Sequence, residues 1–238
     1  MKNYLINKVT DKNKWILYLH GWGQRKESLL NLAINNKEEY NYILIDLPFS
    51  KYFMVNKPYK VEDVLFYIKE ILDKENIDPS IIIGHSCGGK IALAYALKIK
   101  DIPLILCAPS ILKPRISIKN KIKIKLYKIC KFLVKMHVFS HIPKILKGSN
   151  DFQNTESFLK KTFLKMVNTY YDNEIQNIKS KIVIIVGKED KEVPINKLKK
   201  LDKTNNIEYI EIEGNHFAFN RHFSLIKNKI EELYGNRN

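Results

Sequence analysis

The stretch Ile81-Ile82-Ile83-Gly84-His85-Ser86-Cys87-Gly88-Gly89 decides the fold. Its three isoleucines are typical of a strand buried on both faces, and the residues that follow, IALAYAL at 91–97, have the apolar content of a buried helix. The G-x-S-x-G pattern therefore lies in a turn between a strand and a helix. Such a turn exposes and strains the serine at its tip, as a hydroxyl nucleophile requires. We predict that Ser86 is a nucleophile; the alternative is a plain glycine-rich turn.

Apolar runs of strand length recur on both sides of this stretch, separated by segments with helical spacing. This alternation predicts an α/β protein with a mostly parallel central sheet and helices on both faces. The predicted strands are 15–19, 42–45, 80–83, 104–107, 182–186 and 207–212, with room for one more near 4–7. The predicted helices are near 26–36, 61–74, 89–98, 195–201 and 223–233.

About seventy residues between 107 and 182 contain no comparable strand. They predict a helical cap at 110–171 inserted into a core of 1–109 and 172–238. Its first helix should place Ile118, Ile122, Leu126, Ile129, Leu133 and Met136 on one arc, and a second should cover 155–168. The segment ISIKNKIKIKL at 116–126 also alternates like a strand, which leaves the start of the cap helix open.

The net charge is strongly positive, but the charged residues are unevenly distributed along the chain. The 238 residues carry a net charge of +16 with 45% apolar content, which excludes a disordered chain and fits one compact domain. The cations are 37 Lys and only 4 Arg, whereas Arg is favoured for bidentate recognition of bases and phosphates, so we expect no nucleic-acid partner. Residues 102–150 contain eleven of these cations and no Asp or Glu.

Two interpretations of the basic cap helix follow. In the first, which we favour, its apolar arc covers the active site and its lysines face water. In the second, the basic amphipathic helix makes peripheral contact with an anionic membrane.

The cysteines and the N-terminus favour a reduced compartment. Cys87, Cys107 and Cys130 have wide, irregular spacing that fits neither a disulfide framework nor a zinc site. Residues 1–15 lack the apolar core of a signal peptide, so we expect a cytoplasmic protein. His137 and His141 have helical metal-ligand spacing, but no third ligand is evident, and we predict no metal.

Further candidate groups follow other predicted strands. HGWG at 20–23 allows an open turn, so the backbone amides of Trp22 and Cys87 are the candidate oxyanion-hole donors, with His20 a structural residue. Asp190 follows the strand 182–186, and His216 follows the strand 207–212. Because the carboxyl ends of parallel strands meet at one sheet edge, Ser86, Asp190 and His216 can converge there.

Together, HGWG, GHSCGG, GKEDKEVP and GNHF resemble the α/β-hydrolase fold superfamily, in particular its small cap-bearing serine hydrolases. The resemblance covers most of the chain and implies Ser86 as nucleophile, His216 as general base and Asp190 as the residue that orients it. Glu189 is the alternative acid. One departure is Asp46-Leu47-Pro48-Phe49-Ser50, where many relatives have a glycine-containing loop; it leaves the shape of one pocket wall open.

The predicted activity is hydrolysis of a small-molecule carboxylic ester through an acyl-enzyme, with no cofactor. A small or moderately hydrophobic acyl group is expected, and the candidate substrate-binding residues are Trp22, Leu126, Ile129, Leu133 and Phe217. Two alternatives stay open: the same triad used for acyl transfer or C–C bond hydrolysis, and a membrane-docking scaffold.

Overall fold

The computed structural model describes residues 2–11, 14–36, 39–50, 53, 57–113, 118–137, 140–141, 143, 153–201 and 205–235. In this part of the chain seven strands form one sheet in the order β1-β3-β2-β4-β5-β6-β7. β1 is antiparallel to β3, and every other neighbouring pair is parallel. The strands are β1 (Tyr4–Asn7), β2 (Trp15–Leu19), β3 (Asn41–Ile45), β4 (Pro79–His85), β5 (Leu104–Cys107), β6 (Ile182–Gly187) and β7 (Ile207–Ile212).

Helices cover both faces of the sheet because successive strand residues point to opposite sides. On β2, Leu17 and Leu19 belong to the core that includes α2 and α3, whereas Ile16 and Tyr18 belong to the core that includes α1 and α7. The α-helices are α1 (Leu30–Ile34), α2 (Val61–Lys74), α3 (Cys87–Lys98), α4 (Ile118–Lys135), α5 (Lys160–Val167), α6 (Ile195–Leu198) and α7 (Phe223–Gly235).

The fold class predicted from the sequence is confirmed, and β1, β2, β5, β7 and α2 have the predicted limits. The segment that alternates like a strand is helical from Ile118 onward. Ile122 recurs with Leu126 and Ile129 at helical spacing, whereas Ile124 lies on the opposite side of the helix. Its first residues, 116–117, lie outside the described part. The helix predicted at 26–36 divides into a 3₁₀ turn, Lys26–Leu29, and α1. Within the residues that the structure describes, every helix is too short or too polar to cross a bilayer.

A buried ion pair fixes the loops at the carboxyl ends of β2 and β3. The Lys26 ammonium lies 2.6 Å from Oδ2 of Asp46, whose Oδ1 accepts the Lys26 backbone N–H at 2.8 Å. Both side chains are more than nine-tenths buried. A buried pair is costly to break, so it holds the turn that follows β2 in one position.

Candidate active site

Ser86 lies at the tip of a strained turn between β4 and α3. Its backbone has φ 51° and ψ −112°, a region that a residue with a side chain rarely adopts. The Ser86 N–H donates to the carbonyl of Cys107 at 2.9 Å, and its own carbonyl accepts the amides of Lys90 and Ser110. These bonds hold the half-buried serine at the carboxyl end of the sheet.

The two glycines of the G-x-S-x-G turn lie where the backbone of neighbouring elements leaves no room for a side chain. A Cβ on Gly88 would lie 2.1 Å from the carbonyl oxygen of Leu19 and 2.5 Å from that of His20. A Cβ on Gly84 would lie 2.6 Å from the carbonyl oxygen of Gly88. The turn therefore requires glycine at both positions.

Asp190 and His216 meet at the same edge of the sheet. Nδ1 of His216 lies 2.8 Å from Oδ2 of Asp190, and Oδ1 of Asp190 accepts the amides of Glu192 and Val193. Burial opposes ionisation of Asp190, but the hydrogen bonds from His216 and the two amides outweigh it and hold the pKa of the carboxyl below its ordinary value. An ionised Asp190 fixes the ring of His216 with Nδ1 protonated. Glu189, the alternative acid, is exposed.

Sequence reasoning missed Glu192, which also lies beside His216. Its Oε2 is 3.6 Å from Nε2 of His216, the nitrogen opposite the one bonded to Asp190. The signal was present in the sequence, because Glu192 stands two residues after Asp190 in the same loop. A carboxylate at this position adds negative charge on the side of the ring that faces away from Asp190.

Two further histidines, His20 and His85, are buried next to the candidate active site. His20 is fully buried: Nδ1 lies 2.8 Å from the Gly21 carbonyl, and Nε2 accepts the Leu47 amide at 2.9 Å. The His85 ring lies 5.0 Å from the ring of His216, and its Nδ1 lies 3.0 Å from Oε1 of Gln24. Burial lowers the pKa of His20 to about 4 and that of His85 to about 3. Both rings are therefore neutral structural groups near neutral pH.

These two histidines predict a loss of stability in acid. In the unfolded chain both histidines bind a proton below their ordinary pKa of 6.5. In the folded protein His20 binds its proton only below about pH 4 and His85 only below about pH 3. The unfolded state then holds more protons, so the free energy of unfolding falls as the pH falls, by up to about 1.4 kcal/mol per pH unit for each histidine. Urea unfolding between about pH 7.5 and about pH 4.5 measures this slope.

His20→Asn should remove up to half of the slope attributed to the two histidines, whatever it does to stability at neutral pH. His141→Asn is the matched control, because His141 is exposed and should leave the slope unchanged. An equal slope in the His20 variant and the unchanged chain would contradict a neutral buried His20.

Trp22 connects the turn after β2 to the segment that contains α5. Its indole N–H donates to Oγ1 of Thr155 at 3.2 Å, and its ring stacks on Phe49 at 5.1 Å and meets Phe163 edge-on at 4.9 Å. Trp22 and Phe49 also line a cavity of about 270 Å³ together with Leu159 and Thr155. The loop that departs from the usual glycine-containing pattern thus supplies a buried aromatic wall through Phe49. In the described part of the chain, no backbone carbonyl accepts the amide of Trp22 or of Cys87.

Lys90 makes a second contact with this segment, which the sequence did not reveal. It lies one helical turn after Ser86 and is 2% exposed, and its ammonium donates to the Met166 carbonyl of α5 at 2.7 Å. Burial lowers the pKa of this ammonium. The bond fixes the end of α5 over the helix that begins at the candidate nucleophile.

The remaining candidate substrate-binding residues are divided between the site and the surface. Phe217 lies beside His216, with 5.4 Å between ring centroids. Leu126 and Ile129 are nearly half exposed and Leu133 is half-buried, and none of the three lines the cavity beside Trp22. The expectation that the apolar arc of α4 covers the active site stays a prediction. On another side of α4, Cys130 and Val134 are half-buried.

Other candidate groups lie apart from this chemistry. Burial raises the pKa of the Cys87 thiol to about 11, so its backbone amide is the group available to the site. Among the described residues, no three His, Cys, Asp or Glu side chains come together as a metal site. A second cavity, of about 630 Å³, lies near Asp78 and Lys100 at the opposite end of the sheet.

Comparison with known proteins agrees with this architecture. Residues 14–108 match the family model described as the alpha/beta hydrolase fold, and no curated protein matches the sequence. MenH from S. aureus is 19% identical, with 98% of this chain and 100% of that chain covered and a TM-score of 0.69. The esterase EaEST from Exiguobacterium antarcticum is 17% identical (96% and 94% covered, TM-score 0.69), and a monoacylglycerol lipase from Paleococcus ferrophilus is 18% identical (97% and 97%, TM-score 0.63). The protein has the α/β-hydrolase fold.

Proposed function

We propose that the protein is a serine hydrolase that cleaves a carboxylic ester through a Ser86-His216-Asp190 triad. The observation that carries the proposal is the buried hydrogen bond between His216 and Asp190 at the sheet edge that also holds the strained Ser86 turn. The order Ser, Asp, His along the chain is that of hydrolases with this fold. Two of the structurally similar proteins, an esterase and a monoacylglycerol lipase, support ester chemistry.

The proposed reaction gives each of these groups one role. Nε2 of His216 takes the proton of the Ser86 hydroxyl as its oxygen attacks the ester carbonyl, and the amides of Trp22 and Cys87 hold the resulting oxyanion. The protonated His216 gives its proton to the departing alcohol and leaves an acyl-Ser86 ester. A water molecule, deprotonated by His216, then attacks this ester, and the acid leaves as Ser86 regains its proton. Asp190 stays ionised throughout and stabilises the imidazolium.

The surroundings favour an uncharged, moderately hydrophobic acyl group. Phe217 provides an aromatic edge next to His216, and the cavity beside Trp22 has apolar walls from Phe49 and Leu159. Glu192 would repel an anionic acyl group near Nε2 of His216. Short neutral esters are therefore the substrates to examine first.

Labelling with a fluorophosphonate tests the proposal directly. The reagent phosphonylates an activated serine, so the expected result is one adduct, found by peptide mass spectrometry on the peptide that contains Ser86. Ser86→Ala should abolish labelling and the hydrolysis of p-nitrophenyl esters. Ser110→Ala, at a nearby serine whose backbone amide donates to the Ser86 carbonyl, should be labelled normally. Undiminished ester turnover by Ser86→Ala would overturn the proposal.

Product analysis separates ester hydrolysis from the other reactions that such a triad performs. Ester, amide and diketone substrates are offered to the unchanged protein, with and without an added alcohol. Acid plus alcohol from the ester is the expected outcome. A transferred acyl product, or cleavage of the diketone alone, would replace ester hydrolysis by acyl transfer or C–C bond hydrolysis.

A further inference from the structure

The cap helix α4 exposes a row of large apolar side chains. Phe132 is 61% exposed, Met136 59% and Ile122 54%, and Leu126 and Ile129 are nearly half exposed. These five residues, which we call the exposed arc, follow one another at spacings of four, three, three and four and therefore lie on one side of the helix. Scattered single apolar residues on a surface are ordinary, but a continuous row of this kind marks an interaction surface.

Lysines flank the exposed arc. Lys128, Lys131 and Lys135 are exposed along one side of it, and Lys125 is exposed within it, between Phe132 and Met136 on the helical wheel. The surrounding stretch 102–150 contains eleven Lys or Arg and no acidic residue, whereas the rest of the chain holds all 25 Asp and Glu. The charge of the whole protein is thus concentrated where the apolar row is exposed.

The exposed arc and the lysines beside it together indicate what kind of partner α4 binds. A nucleic acid or an acidic polypeptide would satisfy the lysines but would leave Phe132 and Ile129 in water. An anionic bilayer satisfies both, because its headgroups attract the lysines while apolar side chains enter the boundary between headgroups and acyl chains. We propose that α4 docks the protein on the surface of an anionic lipid bilayer, with the exposed arc inserted. This proposal is independent of the chemistry at Ser86.

Vesicle co-sedimentation of the full chain tests the docking. The vesicles are phosphatidylcholine alone and phosphatidylcholine mixed with phosphatidylserine. We expect the partition coefficient to be at least about tenfold higher on the mixed vesicles and to fall steeply with added salt. Equal or negligible binding to both kinds of vesicle would overturn the proposal.

Matched variants separate the apolar contribution to vesicle binding from the electrostatic one. Phe132→Gln with Ile129→Gln should lower binding to the mixed vesicles about tenfold or more, and Lys128→Glu with Lys131→Glu should do the same. The controls are Phe66→Gln with Ile99→Gln and Lys74→Glu with Lys197→Glu. Phe66 is 65% and Ile99 42% exposed, and both lysines are exposed, so each control makes the same two changes outside α4. The controls should bind within about twofold of the unchanged chain.

Two results would refute membrane insertion even if the protein binds. In the first, vesicle binding falls in the lysine variant but not in the apolar variant, and polyglutamate competes with the vesicles for the protein. This result would identify an acidic polypeptide as the partner. The other is an equal loss in the Phe66 control and the Phe132 variant. Circular dichroism of each variant shows whether it is folded; since all the changed residues are exposed, the variants should keep the fold.

Discussion

Replacing Asp190 by asparagine is expected to lower kcat for p-nitrophenyl ester hydrolysis by about four orders of magnitude, while the protein stays folded. The asparagine has nearly the same shape, and its oxygen can still accept the amides of Glu192 and Val193 at the position of Oδ1. Its NH2 group would then face Nδ1 of His216, and this favours the tautomer with the proton on Nε2. In that tautomer His216 cannot accept the proton of Ser86.

Glu189→Gln is the matched control for this change. Glu189 precedes Asp190 in the same loop but is exposed, so its amide variant should keep kcat within about threefold. Steady-state rates at saturating ester, corrected for the fraction of active sites by burst titration, measure both variants. A loss in the Glu189 variant as large as that in the Asp190 variant would mean that the acid of the triad is wrongly assigned.

Most of the fold could be predicted because its signals are local. Each central strand is a short apolar run that remains buried on both faces, as β2 shows with all five residues buried, and turns or helical spacing separate the runs. The candidate site could be predicted for a related reason. Ser86, Asp190 and His216 each lie within four residues of the end of a strand, and parallel strands bring such positions to one edge.

What could not be predicted depends on side chains that meet across long sequence distances. Lys90 and the Met166 carbonyl are 76 positions apart, and Trp22 and Thr155 are 133 apart, so no periodic pattern joins them. The direction in which α4 turns its apolar residues is a similar case. A helical wheel shows which residues share a side, but it does not show that Ile122 and Phe132 are exposed while Cys130 and Val134 are half-buried.

Replacing Gly88 by alanine is expected to lower the free energy of unfolding by about 3 kcal/mol or more, or to prevent soluble expression. The new Cβ would lie 2.1 Å from the carbonyl oxygen of Leu19 and 2.5 Å from that of His20. Both obstacles are backbone atoms at the end of β2, which is buried and paired with β3 and β4. They cannot rotate away as a flexible side chain could, so α3 must move away from the sheet.

Movement of α3 would also displace the amide of Cys87 and the turn that holds Ser86, so Gly88→Ala should lose ester hydrolysis even where some folded protein remains. Gly235→Ala is the control, because a Cβ there meets no atom within 4 Å among the described residues, and its stability should change by no more than about 0.5 kcal/mol. Urea unfolding followed by tryptophan fluorescence compares the two variants. Since both add the same methyl group, an unfolding midpoint for Gly88→Ala equal to that for Gly235→Ala would show that α3 does not contact the end of β2 as closely as described.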